Sequence, residues 1–182
     1  MEYRYLQQTQ VRAVNNAVSR SIRGLAIVFN SRSENLGGFT ETIDPGALDG
    51  ADMSDVVALF NHNATKVLGR TTAGTLRLTR TAAGLAYEID LPDTQVARDL
   101  YTSITRGDVR GSSFAFRMAD KGGETWKLGP GGIYERRVIK IAKLLDVSPV
   151  LIPAYKAGSV SARRQLSEPE LMIRQRIQLM CC

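Results

Sequence analysis

Short apolar runs of strand length, separated by turn residues, dominate the first two thirds of the chain. The runs GLAIVF (residues 24–29) and VVALF (residues 56–60) have the length and composition of buried strands. Residues 76–79 and 85–91 alternate apolar and polar side chains on either side of a glycine-containing turn, which predicts a hairpin. A chain punctuated in this way predicts a domain built mainly from strands.

A second antiparallel pair is predicted for residues 109–117 and 134–143. The segment between them contains DKGGETWKLGPGG (residues 120–132), and its glycines and proline predict an irregular loop. The segment DVSPVLI (residues 146–152) predicts the last strand.

Helical patterns are few. In TQVARDLYTSITRG the apolar residues recur at helical spacing, with Asp93 or Thr94 as the N-cap and Gly107 as the end. A short helix is predicted to begin at Pro45. A further helix is predicted from about Ser167, after a linker at residues 155–165.

The fold class that these patterns predict is α+β, mostly β: a single domain on an antiparallel sheet or barrel with a few flanking helices. The chain has 182 residues, of which 43% are hydrophobic and 23% charged, and this is ordinary for a globular protein. No apolar run approaches the roughly 18 to 20 residues that a membrane span needs, so we expect no membrane partner.

The net charge of +6 is compatible with a nucleic-acid partner or with a solvated basic surface. We favour the basic surface and expect no specific nucleic-acid partner, because the lysines and arginines are scattered and no DNA-binding motif is present. The cysteines are Cys181 and Cys182, which are adjacent and cannot form a disulfide framework, so a reducing compartment is expected.

His62 is the one histidine of the sequence, so any mechanism that needs an imidazole depends on it. Continued strand alternation places it on the face of Val56, Ala58 and Phe60, at the end of a strand. A histidine there is structural, merely exposed, or catalytic. Without a second histidine or a suitably placed cysteine, the ligand spacing of a zinc site is missing, so neither a metal nor a cofactor is expected.

The stretch RGSSFAF places two serines at the start of a buried strand. Because strand side chains alternate, Ser112 shares a face with Phe114 and Phe116, whereas Ser113 lies between the small Gly111 and Ala115. This space predicts that Ser113 is the accessible serine and that Ser112 packs with the phenylalanines. A serine nucleophile needs a neighbouring base; otherwise Ser113 is simply a small residue in a crowded sheet.

Asp146 is an acidic residue within the apolar segment KLLDVSPVLI. A buried carboxylate is costly unless it is paired or hydrogen-bonded. Asp146 therefore lies either at a strand edge or in a functional pair, and an acid that orients the imidazole is one such function.

Taken together, six segments in order resemble the prohead (capsid maturation) proteases of tailed bacteriophages, serine peptidases whose fold is similar to that of herpesvirus assemblins. The matching segments cover roughly residues 23–157 and read GLAIVFNSRSE, FTETIDPGAL, LFNHNATKVLGR, TQVARDLYTSITRGDV, RGSSFAF and LLDVSPVLIPAY. The resemblance implies a protease domain at residues 23–157, an N-terminal segment at residues 1–22, and a linker and helical tail at residues 158–182.

The resemblance also implies catalytic roles: Ser113 as nucleophile, His62 as base and then acid, and Asp146 as the residue that orients the ring. Two positions depart from the family pattern. Ala115 replaces the usual glycine, and Asp146 replaces the usual glutamate and is shorter by one methylene. By analogy, backbone amides of residues 119–137 are expected to help stabilise the oxyanion.

The implied function is that of a serine endopeptidase that cleaves the scaffold region of the major capsid protein during prohead maturation. Its implied location is inside the assembling prohead, in the cytoplasm of the bacterial host. Self-association as a homo-oligomer is also expected. The linker near Ala162-Arg163 and the tail beyond it are either self-cleavage and shell-targeting elements or plain disorder. The two departures leave open an alternative, a catalytically inactive assembly or scaffolding protein on the same fold.

Overall fold

The computed structural model describes the backbone of residues 2–6, 12–16 and 19–151, and the side chains of residues 20–151. In these parts of the chain, strands predominate and one α-helix is present. The strands are β1 (Glu2–Leu6), β2 (Arg12–Asn16), β3 (Ser19–Val28), β4 (Phe39–Ile43), β5 (Val57–Phe60), β6 (Asn63–Arg70), β7 (Leu76–Arg80), β8 (Gly84–Asp90), β9 (Gly111–Met118), β10 (Glu124–Leu128), β11 (Tyr134–Val138) and β12 (Ile141–Val150). The α-helix is α1 (Gln95–Arg106), and 3-10 turns lie at Pro45–Leu48 and Pro130–Gly132.

A five-stranded sheet in the order β1-β9-β12-β5-β6 forms the centre of the architecture. Its pairings are antiparallel except that of β12 with β5, which is parallel. The last described strand of the chain therefore lies in the middle of this sheet, with β9 on one side and β5 on the other.

Two smaller sheets complete the described fold. One has the order β2-β3-β8-β7 and is antiparallel throughout. The other has the order β10-β11-β4, in which β11 and β4 are parallel. The prediction of a mostly β domain on sheets is confirmed, but the described strands do not close into a barrel and two of their pairings are parallel.

The hairpin and the helix follow the sequence closely. Strands β7 and β8 pair in register from Leu76–Ile89 to Arg80–Leu85, as predicted. The Thr94 side chain accepts a hydrogen bond from the Ala97 N–H, and Gly107 caps the C-terminus with φ 84°. Left-handed backbone is readily adopted by glycine, which explains why the helix ends there.

Two sequence predictions about the later strands are wrong in part. Residues 134–143 divide into β11 and the start of β12, and only β12 pairs with β9. The segment 120–132 is not wholly irregular, because Glu124–Leu128 forms β10 and pairs with β11. Loop-type residues flank this strand, and pairing with β11 stabilises it despite them.

The core is built from the apolar faces of the sheets and one face of α1. The rings of Phe114 and Phe116 stack at a centroid distance of 5.4 Å, and both are fully buried. Helix α1 adds Ala97, Leu100 and Ile104 to the same buried cluster.

Several sequence predictions are untested. Among the described residues, no helix is long and apolar enough to cross a membrane. The linker at residues 155–165 and the helix from about Ser167 lie outside the described residues. The division at residues 1–22, 23–157 and 158–182 stays a prediction.

Candidate active site

Ser113 lies in the first half of β9, between the edge strand β1 and the central strand β12 of the five-stranded sheet. Its partners in the two adjoining ladders are Ser148 of β12 and Tyr5 of β1. Ser113 and its neighbour Ser112 are both 0% exposed. The expectation that Ser113 is the accessible serine is therefore wrong in this structure, although the two serines do face different environments.

Ser112 faces the interior, where its hydroxyl lies 2.8 Å from the Tyr87 hydroxyl. This contact adds a polar partner to the phenylalanine packing that the sequence predicted. The Tyr87 ring occupies the space above Gly24, where an added Cβ would come within 2.4 Å of the phenol. Burial raises the pKa of Tyr87, since the charged phenolate is poorly solvated there.

His62 does not continue β5, as strand alternation predicted, but lies in the tight turn between β5 and β6. Phe60 pairs with Asn63 across this turn, and the two residues between them have φ values of 53° (Asn61) and 54° (His62). Two consecutive positive φ values are the signature of a type I′ hairpin turn. The turn projects the imidazole back over the sheet instead of leaving it on the strand face.

A β-bulge in β12 decides which face of the sheet Asp146 occupies. Leu144 pairs with Phe116, but Asp146 pairs with Ala115, so Leu145 is an extra residue in this strand. Regular pairing would place Asp146 opposite Phe114, on the apolar face. The bulge instead places Asp146 and Ser148 on the face of Ser113 and Ala115.

The side chains of Ser113, His62 and Asp146 form a continuous hydrogen-bonded chain. The distance from Ser113 Oγ to His62 Nε2 is 2.5 Å, and the distance from His62 Nδ1 to Asp146 Oδ1 is 2.7 Å. The side chains of His62 and Asp146 are only 7% and 9% exposed. A base within hydrogen-bond reach of a hydroxyl, itself oriented by a carboxylate, is an arrangement that can activate a serine nucleophile.

Ser148 is a fourth polar residue that the sequence reasoning did not identify. Its hydroxyl donates to Asp146 Oδ1 at 3.0 Å and lies 3.3 Å from His62 Nδ1. The available signal was its position two residues after Asp146, because alternate residues of a strand share a face.

Residues 119–137, expected to supply oxyanion donors, contribute mainly β10 and β11. These strands belong to the three-stranded sheet with β4, whereas Ser113 lies in the five-stranded sheet. The oxyanion role of this segment stays a prediction. Among the described residues, no group of three or more His, Cys, Asp and Glu side chains is arranged to hold a metal ion.

A comparison with protein-family models places this geometry in a known context. Residues 7–171 match the model described as caudovirus prohead serine protease. The chain belongs to this family. Searches of curated proteins and of solved structures gave no significant match.

Membership of the prohead serine protease family brings with it serine peptidase activity in general and a role in bacteriophage capsid maturation. The matched range includes the turn that carries His62, the strand that carries Ser113 and the bulged strand that carries Asp146. The family assignment and the hydrogen-bonded chain therefore concern the same part of the molecule.

Proposed function

We propose that the protein is a serine endopeptidase that cleaves the scaffold region of the major capsid protein, and its own tail, inside the assembling prohead in the host cytoplasm. The observation that carries this proposal is the chain Ser113 Oγ–His62 Nε2 and His62 Nδ1–Asp146 Oδ1, at 2.5 Å and 2.7 Å. A fold similar to that of herpesvirus assemblins is part of the same proposal and rests on the sequence resemblance.

The first step is attack of Ser113 Oγ on the carbonyl carbon of the scissile peptide bond. In the competent tautomer, the proton stays on His62 Nδ1, and this N–H donates a hydrogen bond to Asp146 Oδ1. The Nε2 lone pair is then free to accept the Ser113 proton. The imidazolium that forms is stabilised by the adjacent Asp146 carboxylate.

In the second step, His62 Nε2 returns its proton to the leaving amine, so that the C–N bond breaks and an acyl ester remains on Ser113. A water molecule then gives a proton to Nε2 while its oxygen attacks the ester. Collapse of this intermediate releases the new carboxyl group and returns the proton to Ser113 Oγ. The net reaction adds one water molecule across one peptide bond.

Asp146 is shorter than the glutamate usual in the family, but in this structure it still reaches the imidazole. The bulge places Asp146 opposite Ala115, a small residue, on the face over which His62 lies. The short carboxylate and the small neighbour are therefore compatible with each other. This compatibility favours the catalytic proposal over the alternative of an inactive scaffolding protein.

The decisive experiment is co-expression with the capsid protein, with processing followed on a denaturing gel. Ser113→Ala is expected to abolish processing, because it removes the hydroxyl that contacts His62 Nε2. Ser112→Ala is the matched control: it removes an equally buried hydroxyl from the adjacent residue and is expected to retain processing.

Covalent labelling by a serine-directed phosphonate, located by mass spectrometry, tests the same proposal without the capsid protein. Label is expected on Ser113 and not in the Ser113→Ala variant. Processing by Ser113→Ala equal to that of the wild type, or absence of label and processing in the wild type, would favour the scaffolding alternative.

A further inference from the structure

Ser148 occupies a position from which one hydroxyl contacts both partners of the His62–Asp146 pair. Its Oγ is 3.0 Å from Asp146 Oδ1 and 3.3 Å from His62 Nδ1, and the residue is 0% exposed. In the competent tautomer Nδ1 already carries a proton, so the Ser148 proton is directed to Asp146 Oδ1. Oδ1 then accepts two hydrogen bonds, one from His62 and one from Ser148.

We propose that Ser148 is a positioning residue, which fixes Asp146 Oδ1 for its contact with His62; this inference rests on the proposed function. Its backbone is held by direct pairing with Ser113 in the ladder between β9 and β12. The same ladder therefore sets the relative positions of the proposed nucleophile and of the hydroxyl that holds the acid.

Removal of the Ser148 hydroxyl should shift the pH dependence of activity in one predictable direction. A hydrogen-bond donor stabilises the negative charge of a carboxylate. Loss of the Ser148 hydroxyl therefore increases the proton affinity of the His62–Asp146 pair as a unit. Activity requires a neutral imidazole that can accept the Ser113 proton. The acidic limb of the pH–rate profile should therefore move to higher pH when the hydroxyl is removed.

On β5, β6, β9 and β12, whose side chains the structure describes, the other charged groups are engaged elsewhere or exposed. Strand β5 carries no titratable side chain. Strands β6, β9 and β12 carry Lys66, which lies over the Phe60 ring, Arg70, which pairs with Asp55, Lys143, which pairs with Asp52, and the exposed Arg117. The adjoining strand β1 also carries Glu2, Tyr3, Arg4 and Tyr5.

The test is the pH dependence of phosphonate labelling in the full chain. Ser148→Ala is expected to shift the midpoint of the acidic limb upward by about 0.5 to 1 pH unit. Ser148→Thr, which retains the hydroxyl, and Ser112→Ala, which removes a buried hydroxyl away from the pair, are expected to leave the midpoint unchanged. Coincident profiles for Ser148→Ala and the wild type would overturn the inference, whereas equal labelling of Ser113→Ala would overturn the proposed function.

A second, independent observation concerns access to Ser113. The residue is fully buried, yet a nucleophile must meet its substrate. Of the strands on either side of β9, β12 is internal and carries Asp146, whereas β1 is the edge strand and pairs, among the described strands, with β9 alone. Release of β1 therefore breaks one described ladder, and Ser113, His62 and Asp146 all lie on other elements.

We infer that β1 is a displaceable cover, and that its release from β9 admits the substrate to Ser113. In the closed arrangement Tyr5 is directly opposite Ser113 in the ladder, and Leu6 is opposite Ser112. An edge strand held by backbone pairing can separate locally at a fraction of the cost of global unfolding. The chain would then be inactive in the closed arrangement and active after β1 separates.

A reversible tether tests this second inference within one protein. In a Cys181→Ser/Cys182→Ser background, Leu6→Cys and Ser112→Cys place two thiols at directly opposed positions, which suit a disulfide. The phosphonate is expected to label the oxidised form about tenfold more slowly than the reduced form, because the disulfide blocks separation of β1 from β9. Equal labelling rates before and after reduction would overturn the inference.

A deletion of residues 1–6 provides a second measurement that needs no new disulfide. Without β1, Ser113 should be open to the phosphonate continuously, so labelling is expected to be faster than in the full chain. Labelling no faster than in the full chain, in a variant that unfolds cooperatively, would also overturn the inference. A complete absence of label in every form, the wild type included, would instead count against the proposed function.

Discussion

The side-chain oxygen of Asn61 accepts a hydrogen bond from the backbone N–H of Leu151 at 2.9 Å. The Asn61 N–H in turn donates to the carbonyl of Pro149 at 3.1 Å. These two bonds join the turn that carries His62 to the end of the strand that carries Asp146. The distance between the imidazole and the carboxylate is therefore set by contacts outside the pair itself.

Replacement of Asn61 should weaken this clamp. Asn61→Ala removes the side-chain acceptor and places a Cβ-bearing residue with low αL preference at φ 53°, and we expect a loss of about 2 kcal/mol in the free energy of unfolding. Asn61→Gly also removes the acceptor but tolerates the positive φ, so it should retain more stability. Urea unfolding measures the stability of both variants. The phosphonate should label Ser113 more slowly in both variants than in the wild type. Wild-type labelling rates in both would show that the clamp does not position His62.

The size of residue 115 should matter because Asp146 lies directly opposite it. Ala115→Val adds two methyl groups at a position that is 0% exposed, and overpacking of this kind costs about 1 to 3 kcal/mol. A displacement of Asp146 by 1 Å would slow phosphonate labelling by up to about 100-fold.

Ala115→Gly is the control for this position, since glycine is the residue that the family pattern usually has there. Its cost is expected to be about 0.5 to 1 kcal/mol from increased backbone freedom, with little effect on labelling. Similar labelling rates for the valine and glycine variants would argue against any steric link between residue 115 and Asp146.

Tyr87 should make the protein sensitive to alkali. Its pKa is raised by burial, so the folded state favours the neutral phenol more than the unfolded chain does. This contribution is present below the ordinary value of 10.0 and is lost as the pH rises above it. Tyr87→Phe should reduce the slope of stability against pH above pH 10, measured by urea unfolding. At neutral pH the free energy of unfolding of the same variant should be lower by about 1 kcal/mol, because the hydrogen bond to Ser112 is lost.

Arg77 should contribute to stability at neutral pH and not in acid. It donates two hydrogen bonds to Asp90, at 2.6 and 2.8 Å, and these lower the pKa of that carboxyl group. Arg23 is the main cause of the lowered pKa of Glu88, with a smaller contribution from Arg77. Lowered pKa values stabilise the fold above the ordinary values of 3.8 and 4.5, and this contribution is lost as the pH falls below them.

The corresponding experiment compares Arg77→Met with the wild type by thermal unfolding. The variant should melt at a lower temperature at pH 7, and the difference should shrink as the pH is lowered toward 3. A difference in melting temperature that is constant with pH would mean that Arg77 acts through packing of its aliphatic stem.

Local features of the fold were readable from the sequence. Thr94 and Gly107 delimit α1 because a capping hydroxyl and a left-handed glycine act within one turn of the chain. The hairpin of β7 and β8 is likewise specified by its own alternation and its turn. Such elements need no information from distant residues.

Features that depend on distant pairing were not readable. The parallel contact of β12 with β5 and the existence of β10 depend on which strands meet in the folded chain. The extra residue Leu145 has no sequence signal of its own, yet it determines the face on which Asp146 lies. The three proposed catalytic residues were identified through a family resemblance. Ser148, whose sequence signal is only its position two residues after Asp146, was recognised from its contacts in the three-dimensional structure.

The position of β12 at the centre of the five-stranded sheet has a consequence for biosynthesis. His62 and Asp146 are 84 positions apart in the sequence, and the strand between β9 and β5 is the last described strand to leave the ribosome. A nascent chain that ends before β12 lacks both the carboxylate and the strand that brings the turn of His62 beside Ser113. The hydrogen-bonded chain can therefore form only after β12 has been synthesised and has inserted between β9 and β5.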